Sequence, residues 1–431
     1  MARYLLAVSP LAGHVMPLLR VGADLRSRGH HVRLLTGAEY RDIIGDHGLC
    51  PAVLPAQAHP RAPLAANRDS TAAFASLVER WKFGRADMRS VFLTPMPAQY
   101  RALREQLHPQ RFDAVLCDVA FSGALPLLLT DAPRPHVVAC GVGPLTLSSI
   151  DAPPFGTGWQ PRPGRNYRAM TWVVQRVLFA DVQARLNTAL RALGARRAPV
   201  FLPDWPLLAD RLLQFTVPSM EYARRDLPRS VSFTGPVMPS PPPPHGGEVR
   251  WARLPHQYRT VVHVTQGTWN NSDLDQLIRP TIDAFADHDH VLVVATTGRP
   301  GRSALSGPIP RNAYITDYVP YPQLLPHVDV MITNGGYGGV HQALWHGIPL
   351  IVAGHNADKP EVAARVAYTG AGINLATARP TATAIAAAVK QVLSTHHYRA
   401  AASRLAEEIH RSRALDTIAD ILAGLPARTS S

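Results

Sequence analysis

The sequence predicts an α/β fold with two doubly wound parallel-sheet domains. Short apolar segments rich in β-branched residues alternate with helical patterns in both halves of the chain, which is typical of parallel sheets covered by helices. The length of 431 residues exceeds what one ordinary hydrophobic core organises. The run PVMPSPPPPHGG, from Pro236 to Gly247, separates the halves, because a proline run continues neither helix nor sheet and forms a stiff spacer.

These observations divide the chain into four parts. Residues 1–235 form an N-terminal domain, residues 236–257 a proline-rich linker, and residues 258–400 a C-terminal domain. Residues 401–431 form a helical tail, which we expect to pack back on the N-terminal domain.

The N-terminal domain begins with a strand, a glycine turn and a helix. The apolar run Arg3–Val8 predicts the strand, and Pro17–Arg28 predicts the helix because its leucines and valine share one face. The later elements are strands at His31–Thr36, Ala114–Cys117 and Pro135–Ala139 and a short helix at Tyr40–His47.

The C-terminal domain repeats the alternation and ends in helices. Val328–Thr333 is a buried strand, Val340–His346 a helix, and Gly347-Ile348-Pro349 stops that helix before the strand Leu350–Ala353. The other strands are Tyr258–Thr265, Val291–Thr296 and Asn312–Ile315, and the segment Pro380–Leu425 is almost wholly helical.

Two long insertions interrupt the N-terminal domain, at Ala58–Arg101 and Gly141–Arg197. Both carry aromatic residues and lack clear strand patterns. Long excursions at the C-terminal edge of a parallel sheet usually build a binding pocket. We therefore predict an apolar pocket lined by Phe74, Trp81, Phe155 and Trp159.

The net charge of +13 does not indicate a nucleic-acid partner. Nearly all the positive charge is arginine scattered along an Ala- and Pro-rich chain, which is typical of a GC-rich coding bias. The only lysines are Lys82, Lys359 and Lys390. A weak peripheral contact with anionic membranes stays open.

No segment approaches the roughly 18 apolar residues that span a bilayer. The N-terminal apolar run is short and continues directly into a glycine turn, so we expect no signal peptide. The three cysteines show neither metal-ligand nor disulfide spacing, which indicates reduced thiols and a cytoplasmic protein.

The segment Asn334-Gly-Gly-Tyr-Gly-Gly339 joins a predicted strand to a predicted helix. Missing Cβ atoms allow a ligand to approach the backbone, and the free N–H groups of a helix start favour phosphate. Such a turn alone is a weak signal, since many α/β proteins place glycines there for packing.

Two polar side chains follow strands of the N-terminal domain. His14, in Gly13-His-Val-Met-Pro17, follows the first strand, and Asp118 follows Ala114–Cys117. The carboxyl ends of parallel strands form the crevice in which such sheets bind ligands. A base histidine needs a carboxylate to set its tautomer. A solvent-facing or capping histidine and a helix-capping aspartate are the alternatives.

The order and spacing of the C-terminal motifs resemble the donor-binding signature of family 1 nucleotide-sugar glycosyltransferases. The matching residues are Tyr318-Val-Pro320, Asn334-x-Gly336-x-x-Gly339, Gln342, Gly347-Ile-Pro349 and Asp358-Lys359. Four polar identities differ from that signature: Asn334 stands for His, Gly339 for Ser or Thr, Gln342 for Glu, and Lys359 for Gln. Gly13-His14-x-x-Pro17 is similar to the N-terminal pattern of the same family.

The resemblance implies the GT-B architecture, two Rossmann-like domains facing each other across a cleft. It also implies an inverting transfer of sugar to an acceptor hydroxyl, with His14 as general base and Asp118 in support. The N-terminal domain would then bind the acceptor and the C-terminal domain the nucleotide sugar. The implied donor-binding residues are Gly267, Thr268, Tyr318, Val319, Asn334, Gly335, Gly336, Gly338, Gly339, Gln342, Asp358 and Lys359.

The departures from the signature leave the donor open between a dTDP-linked sugar and UDP-glucose. Lys359 has two possible roles: pairing with Asp358 or reaching the β-phosphate. The aromatic insertions suggest a polyketide, aromatic natural product or lipid as acceptor. Neither a cofactor nor a metal is expected, since Asp273 and Asp275 look like a helix cap and Asp287 and Asp289 like a polar loop.

Two other classes share this architecture. A sugar-nucleotide epimerase would need several carboxylates in the cleft and no acceptor pocket, and a catalytically silent partner protein would lack the base. The oligomeric state stays open between monomer and homodimer.

Overall fold

The computed structural model describes residues 1–60, 77–108, 110–239, 258–267, 273–298, 305 and 307–426. The described residues form two α/β units, each with one wholly parallel sheet. The fold class predicted from the alternation of strands and helices is thereby confirmed. Most of the predicted linker, residues 240–257, lies outside the described residues.

The N-terminal sheet has seven strands in the order β3-β2-β1-β4-β5-β6-β7. The strand order reverses between β1 and β4, which pair in parallel from Tyr4 with Ala114 to Ala7 with Cys117. Ligands of doubly wound sheets bind outside the carboxyl ends of strands at such a reversal. The strands are β1 (Arg3–Ala7), β2 (His31–Thr36), β3 (Cys50–Val53), β4 (Ala114–Asp118), β5 (His136–Gly141), β6 (Arg211–Gln214) and β7 (Val231–Phe233).

The C-terminal sheet has six strands in the order β10-β9-β8-β11-β12-β13. Its reversal lies between β8 and β11, where Thr265 pairs with Thr333 at the carboxyl ends. The turns that follow these two strands therefore meet. The strands are β8 (Thr260–Thr265), β9 (Val291–Thr296), β10 (Ala313–Thr316), β11 (Val330–Thr333), β12 (Leu350–Val352) and β13 (Gly372–Asn374).

Helices cover both faces of each sheet. In the N-terminal unit they are α1 (Ala12–Ser27), α2 (Arg41–Asp46), α3 (Leu77–Asp87), α4 (Met96–Leu107), α5 (Ala124–Leu128), α6 (Arg168–Val173) and α7 (Ala180–Ala192). In the C-terminal unit they are α8 (Ile278–Ala284), α9 (Tyr321–Leu324), α10 (Tyr337–Trp345), α11 (Lys359–Tyr368), α12 (Ala382–Ser394), α13 (His396–Arg411) and α14 (Ala414–Ala423). None of these described helices is long and apolar enough to cross a membrane.

The last helix, α14, packs on the N-terminal unit. Ile418 and Leu422 are buried in the same core cluster as Leu6 of β1 and Leu18 of α1. An ion pair of 2.6 Å between Arg28 and Asp416 joins α1 to α14 at the surface. The end of the chain thus crosses back and contributes to the core of the N-terminal unit.

A buried hydrogen bond also joins the two units between Thr216 and His341. The Nδ1 atom of His341 donates to the Tyr337 carbonyl at 2.9 Å, so its Nε2 atom accepts from the Thr216 hydroxyl at 2.7 Å. Burial lowers the pKa of His341 to about 4, which keeps the ring neutral and preserves this pattern near pH 7.

The predicted start of the first helix is wrong. Helix α1 begins at Ala12, so Gly13 and His14 lie in its first turn and Pro17 lies inside it. Proline at the first helical position is the commonest pattern, which is why Pro17 suggested a later start. The N–H groups of His14 and Val15 both donate to the Leu11 carbonyl, at 2.8 and 2.9 Å, and close this earlier turn.

Sequence analysis missed four strands: β3, β6, β7 and β13. They have only three or four residues each, and β3 and β7 contain no fully buried side chain. Strands this short carry too few apolar positions to show a period of two residues.

Candidate active site

His14 and Asp118 meet at the strand reversal of the N-terminal sheet. The Nδ1 atom of His14 lies 2.7 Å from Oδ1 of Asp118, and 25% of the histidine side chain is exposed. The carboxylate is fully buried and also accepts from the backbone N–H groups of Ser9, at 2.6 Å, and Ala120, at 2.8 Å. Because a carboxylate accepts only, it holds the proton on Nδ1 and leaves the Nε2 lone pair of the neutral ring as a proton acceptor.

The pKa of His14 is raised by its carboxylate neighbours. Burial works in the opposite direction, but the charge and hydrogen bond of Asp118 and the charge of Asp358 together outweigh it. A base with a raised pKa takes a proton more readily, and it must be neutral to do so.

Asp358 brings the C-terminal unit to this histidine. It immediately precedes α11, and a Cβ placed on Gly143 of the N-terminal unit would lie 3.4 Å from its Oδ2 atom. Burial raises the pKa of Asp358, and the positive charges of Lys359 and His14 oppose that rise. The two units therefore place a histidine and a carboxylate on opposite sides of one cleft.

A pocket lies at the strand reversal of the C-terminal sheet. Asn334, which follows β11, is buried and donates from its amide nitrogen to the carbonyl of Gln266, which follows β8. Gly267 lies beside this bond with φ +73, and its missing Cβ would sit 3.7 Å from the Asn334 side chain. The pocket is lined by Gln266, Gln276, Leu277, Asn334, Ala353, Gly354, His355, Asn356, Lys359 and Ala378.

At two positions of this region only glycine fits without a steric clash. Gly335 has φ +89, and its Cβ would lie 2.9 Å from a methyl group of Val352. A Cβ on Gly354 would lie 2.0 Å from the Asn334 carbonyl oxygen, so the backbones of the two turns touch. Helix α10 starts directly after Gly336, and its first N–H groups supply fixed positive dipoles.

Lys359 adds a cation to the pocket. Its ammonium group donates to Oδ1 of Asn356 at 2.7 Å. Burial lowers its pKa, while the neighbouring Asp358 charge works against that decrease. Of the two roles left open by the sequence, Asp358 acts on Lys359 through its charge, while the ammonium group donates its hydrogen bond to Asn356.

The remaining donor-side residues are more dispersed. Val319 is buried, whereas Tyr318 is 68% exposed. Gln342 is half-buried on α10 and its amide lies 3.5 Å from the Gly338 carbonyl. Gly338 and Gly339 belong to the first turn of α10, and Thr268 lies outside the described residues.

The aromatic residues of the insertions occupy separate segments. Phe155 and Trp159 share a loop before α6, with Phe155 half-buried and Trp159 39% exposed. Trp81 on α3 donates from its indole nitrogen to the Leu178 carbonyl at 2.7 Å and packs against the core of the N-terminal unit. Phe74 lies outside the described residues.

Gln266 is a pocket residue that sequence analysis missed. Its side chain accepts from the N–H groups of Leu277 and Ile278, both at 3.2 Å, and donates to the Asp273 carbonyl at 2.8 Å. It thereby fixes the start of α8 beside the pocket. The only available signal was its position directly after a strand at the sheet reversal.

The first Asp-x-Asp pair caps a turn, as predicted. Asp273 accepts from the Asp275 N–H at 3.0 Å, at the start of a short 3-10 turn, and it pairs with Arg379. Among the described residues, no three histidine, cysteine or carboxylate side chains are grouped as a metal site would require.

The two parallel-sheet units, each with one strand reversal, define the GT-B architecture. Comparison with known proteins agrees over the whole chain. The C-terminal-domain model of the erythromycin biosynthesis protein CIII-like family matches residues 279–425. The 4'-demethylrebeccamycin synthase of Lentzea aerocolonigenes is 34% identical over 440 residues, covering 98% of this chain and 99% of the synthase.

Other relatives and solved structures extend this agreement. UDP-glycosyltransferase 2 of Phaeomoniella chlamydospora is 33% identical and covers 98% of this chain and 95% of its own length. The spinosyn rhamnosyltransferase SpnG has the same fold, with a TM-score of 0.69 at 21% identity over 98% of this chain and 100% of its own. The protein belongs to the family 1 glycosyltransferases of natural-product biosynthesis.

Proposed function

We propose that this glycosyltransferase moves a sugar from a nucleoside diphosphate to a hydroxyl group of an apolar acceptor, with inversion at the anomeric carbon. The observation that carries the proposal is the contact of 2.7 Å between His14 and Asp118, in the cleft that Asp358 closes from the other side. Neither an epimerase nor a silent partner protein is favoured, because the curated relatives are named synthases and glycosyltransferases.

In this mechanism the Nε2 atom of His14 takes the proton of the acceptor hydroxyl as its oxygen attacks the sugar. Asp118 holds the ring in the required tautomer and stabilises the imidazolium that forms. The leaving diphosphate gains negative charge beside the start of α10 and the Lys359 ammonium, whose fixed positive groups stabilise it. A single displacement of this kind inverts the configuration.

We expect the donor to be a dTDP-linked sugar, and we expect that sugar to be deoxygenated. Gln342 is uncharged where the family signature has a glutamate that accepts from ribose hydroxyls, so a reason to prefer ribose is lost. Titrating dTDP and UDP against the protein by calorimetry measures the preference. UDP-glucose is the main alternative, since several fungal relatives are named UDP-glucosyltransferases.

Gln342→Glu is the matched variant for that titration. Under the proposal it shifts the preference toward UDP without loss of the fold, because the side chain is half-buried on α10 and glutamate has nearly the same shape as glutamine. A clear preference for UDP in both the unaltered protein and Gln342→Glu would contradict the dTDP assignment.

Transfer is expected to survive chelation by EDTA. The proposed diphosphate site consists of backbone N–H groups, a helix start and one ammonium group, and no carboxylate is among the described residues that line the pocket. Initial rates with saturating donor are compared with and without EDTA and after adding Mg²⁺ or Mn²⁺. Loss of transfer with EDTA and its return with either ion would overturn this proposal.

We propose acceptors of the polyketide, aromatic or lipid type. Phe155 and the partly exposed Trp159 share one loop, which brings apolar surface beside the cleft. One relative is named for the product that it makes, 4'-demethylrebeccamycin, and this name supports a natural-product acceptor. An acceptor screen by mass spectrometry, with each candidate nucleotide sugar, identifies the hydroxyl compound that gains the mass of the sugar.

A further inference from the structure

One carboxylate of the C-terminal unit is bound by the backbone of the N-terminal unit. Glu361 lies in the first turn of α11 and is only 3% exposed. Its Oε1 atom accepts from the N–H groups of Gly156 and Gly158, both at 2.8 Å. These glycines belong to the loop of residues 151–160, which also carries Phe155 and Trp159.

The loop is shaped to receive this carboxylate. Gly156 has φ +94 and Gly158 has φ +62, so the chain turns through the left-handed region on both sides of Thr157. This conformation directs the N–H groups of Gly156 and Gly158, two residues apart, to one oxygen atom, and converging backbone N–H groups form anion-binding concavities. A Cβ on Gly156 would meet nothing within 4 Å, so its glycine is required by the backbone conformation rather than by space.

The other carboxylate oxygen of Glu361 accepts a hydrogen bond from Arg365. Arg365 donates to Oε2 of Glu361 at 2.9 Å and to Oε2 of Glu221 at 2.8 Å, and all three side chains are buried. The remaining oxygen of Glu221 accepts from the Leu145 N–H at 2.8 Å. Because Arg365 fixes one oxygen, the second is presented to the loop in a single orientation.

Glu361 shares its helix start with the donor site. Asp358 and Lys359 come three and two residues earlier, facing His14 and the pocket respectively. The geometry points to Glu361 as a positioning residue that sets the acceptor loop relative to the donor-site end of α11. This inference rests on the proposed function, since the loop is taken as part of the acceptor pocket.

The expected consequence is a defect in acceptor binding with donor binding intact. Glu361→Ala removes two charge-assisted hydrogen bonds to the loop, so the KM for the acceptor should rise roughly ten- to hundredfold. The Kd for the nucleoside diphosphate, measured by calorimetry, should change less than about twofold, because no donor-pocket residue is altered. Glu407→Gln, on an exposed position of α13, is the control and should behave like the unaltered protein.

A second variant separates positioning from loss of the buried ion pairs. Gly156→Ala strains the loop but leaves Glu361, Arg365 and Glu221 in place, so it should reproduce the acceptor defect with a smaller loss of thermal stability than Glu361→Ala. Equal increases in acceptor KM and nucleotide Kd in either variant would indicate general disruption and overturn the inference.

Hydrogen exchange tests the inference without any reaction. In Glu361→Ala, peptides covering residues 151–160 should exchange faster, while peptides covering β4 and β11 should not change. A protein that transfers no sugar but shows this difference would contradict the proposed function and leave the loop contact standing. Unchanged exchange in the loop together with an unchanged acceptor KM would overturn the role of Glu361.

Discussion

His14→Ala is expected to lower the rate of sugar transfer by about 10²–10⁴-fold, the usual contribution of a general base. Its Nδ1 atom is hydrogen-bonded to Asp118, which leaves the Nε2 atom as the proton acceptor that the proposed mechanism requires. Binding of the nucleoside diphosphate should be unchanged, because the donor pocket lies in the other unit. Single-turnover rates and calorimetric Kd values measure the two effects separately.

The pH dependence offers an independent check on the same residue. The pKa of His14 is raised, so the acidic limb of kcat/KM should lie above the ordinary histidine value of about 6.5, with activity rising as the ring loses its proton. Asp118→Asn removes the main charge that raises this pKa, so the limb should move to lower pH while the maximal rate falls. Near-normal transfer by His14→Ala, or a limb that Asp118→Asn does not move, would show that another group is the base.

Arg365→Met should destabilise the protein by roughly 3–5 kcal/mol, the usual cost of leaving a buried charge without its partner. Arg365 is 1% exposed and lies between the carboxylates of Glu221 and Glu361. These carboxylates outweigh the effect of burial and raise the pKa of Arg365, so the guanidinium stays charged. Its loss leaves two buried carboxylates facing each other, and the thermal midpoint should drop accordingly.

Arg413→Met is the matched control for this stability measurement. Arg413 also pairs with an aspartate, Asp416, but its side chain is 77% exposed, so solvent screens the pair and little stability depends on it. Differential scanning calorimetry of both variants compares the two sites directly. An equal change in midpoint for Arg365→Met and Arg413→Met would mean that the buried cluster adds no more than a surface ion pair.

The sequence alone determined those features of the protein that depend only on residues close together in the chain, such as the bounds of strands and the side chains at their ends. Val291–Thr296 was predicted and observed with the same bounds, because a short apolar run rich in valine favours a strand buried on both faces. His14 follows β1 and Asp118 ends the adjacent parallel strand β4, so their position at one edge follows from the alternation of strands and helices. The glycine turn Asn334–Gly339 was also located from the sequence, because the family signature is a local pattern of neighbouring residues.

Tertiary structure alone decided which polar atoms meet. Tyr318 has the position of a base-stacking aromatic in the signature, yet it is 68% exposed, and Asn334 donates to the Gln266 carbonyl. Gly156 and Glu361 are separated by 205 positions and lie in different units, so their contact depends on how two separately folded cores dock. Local periodicity records only whether a side chain is buried. It does not show which distant group forms a hydrogen bond with a buried charged side chain, because that partner depends on how the two units dock.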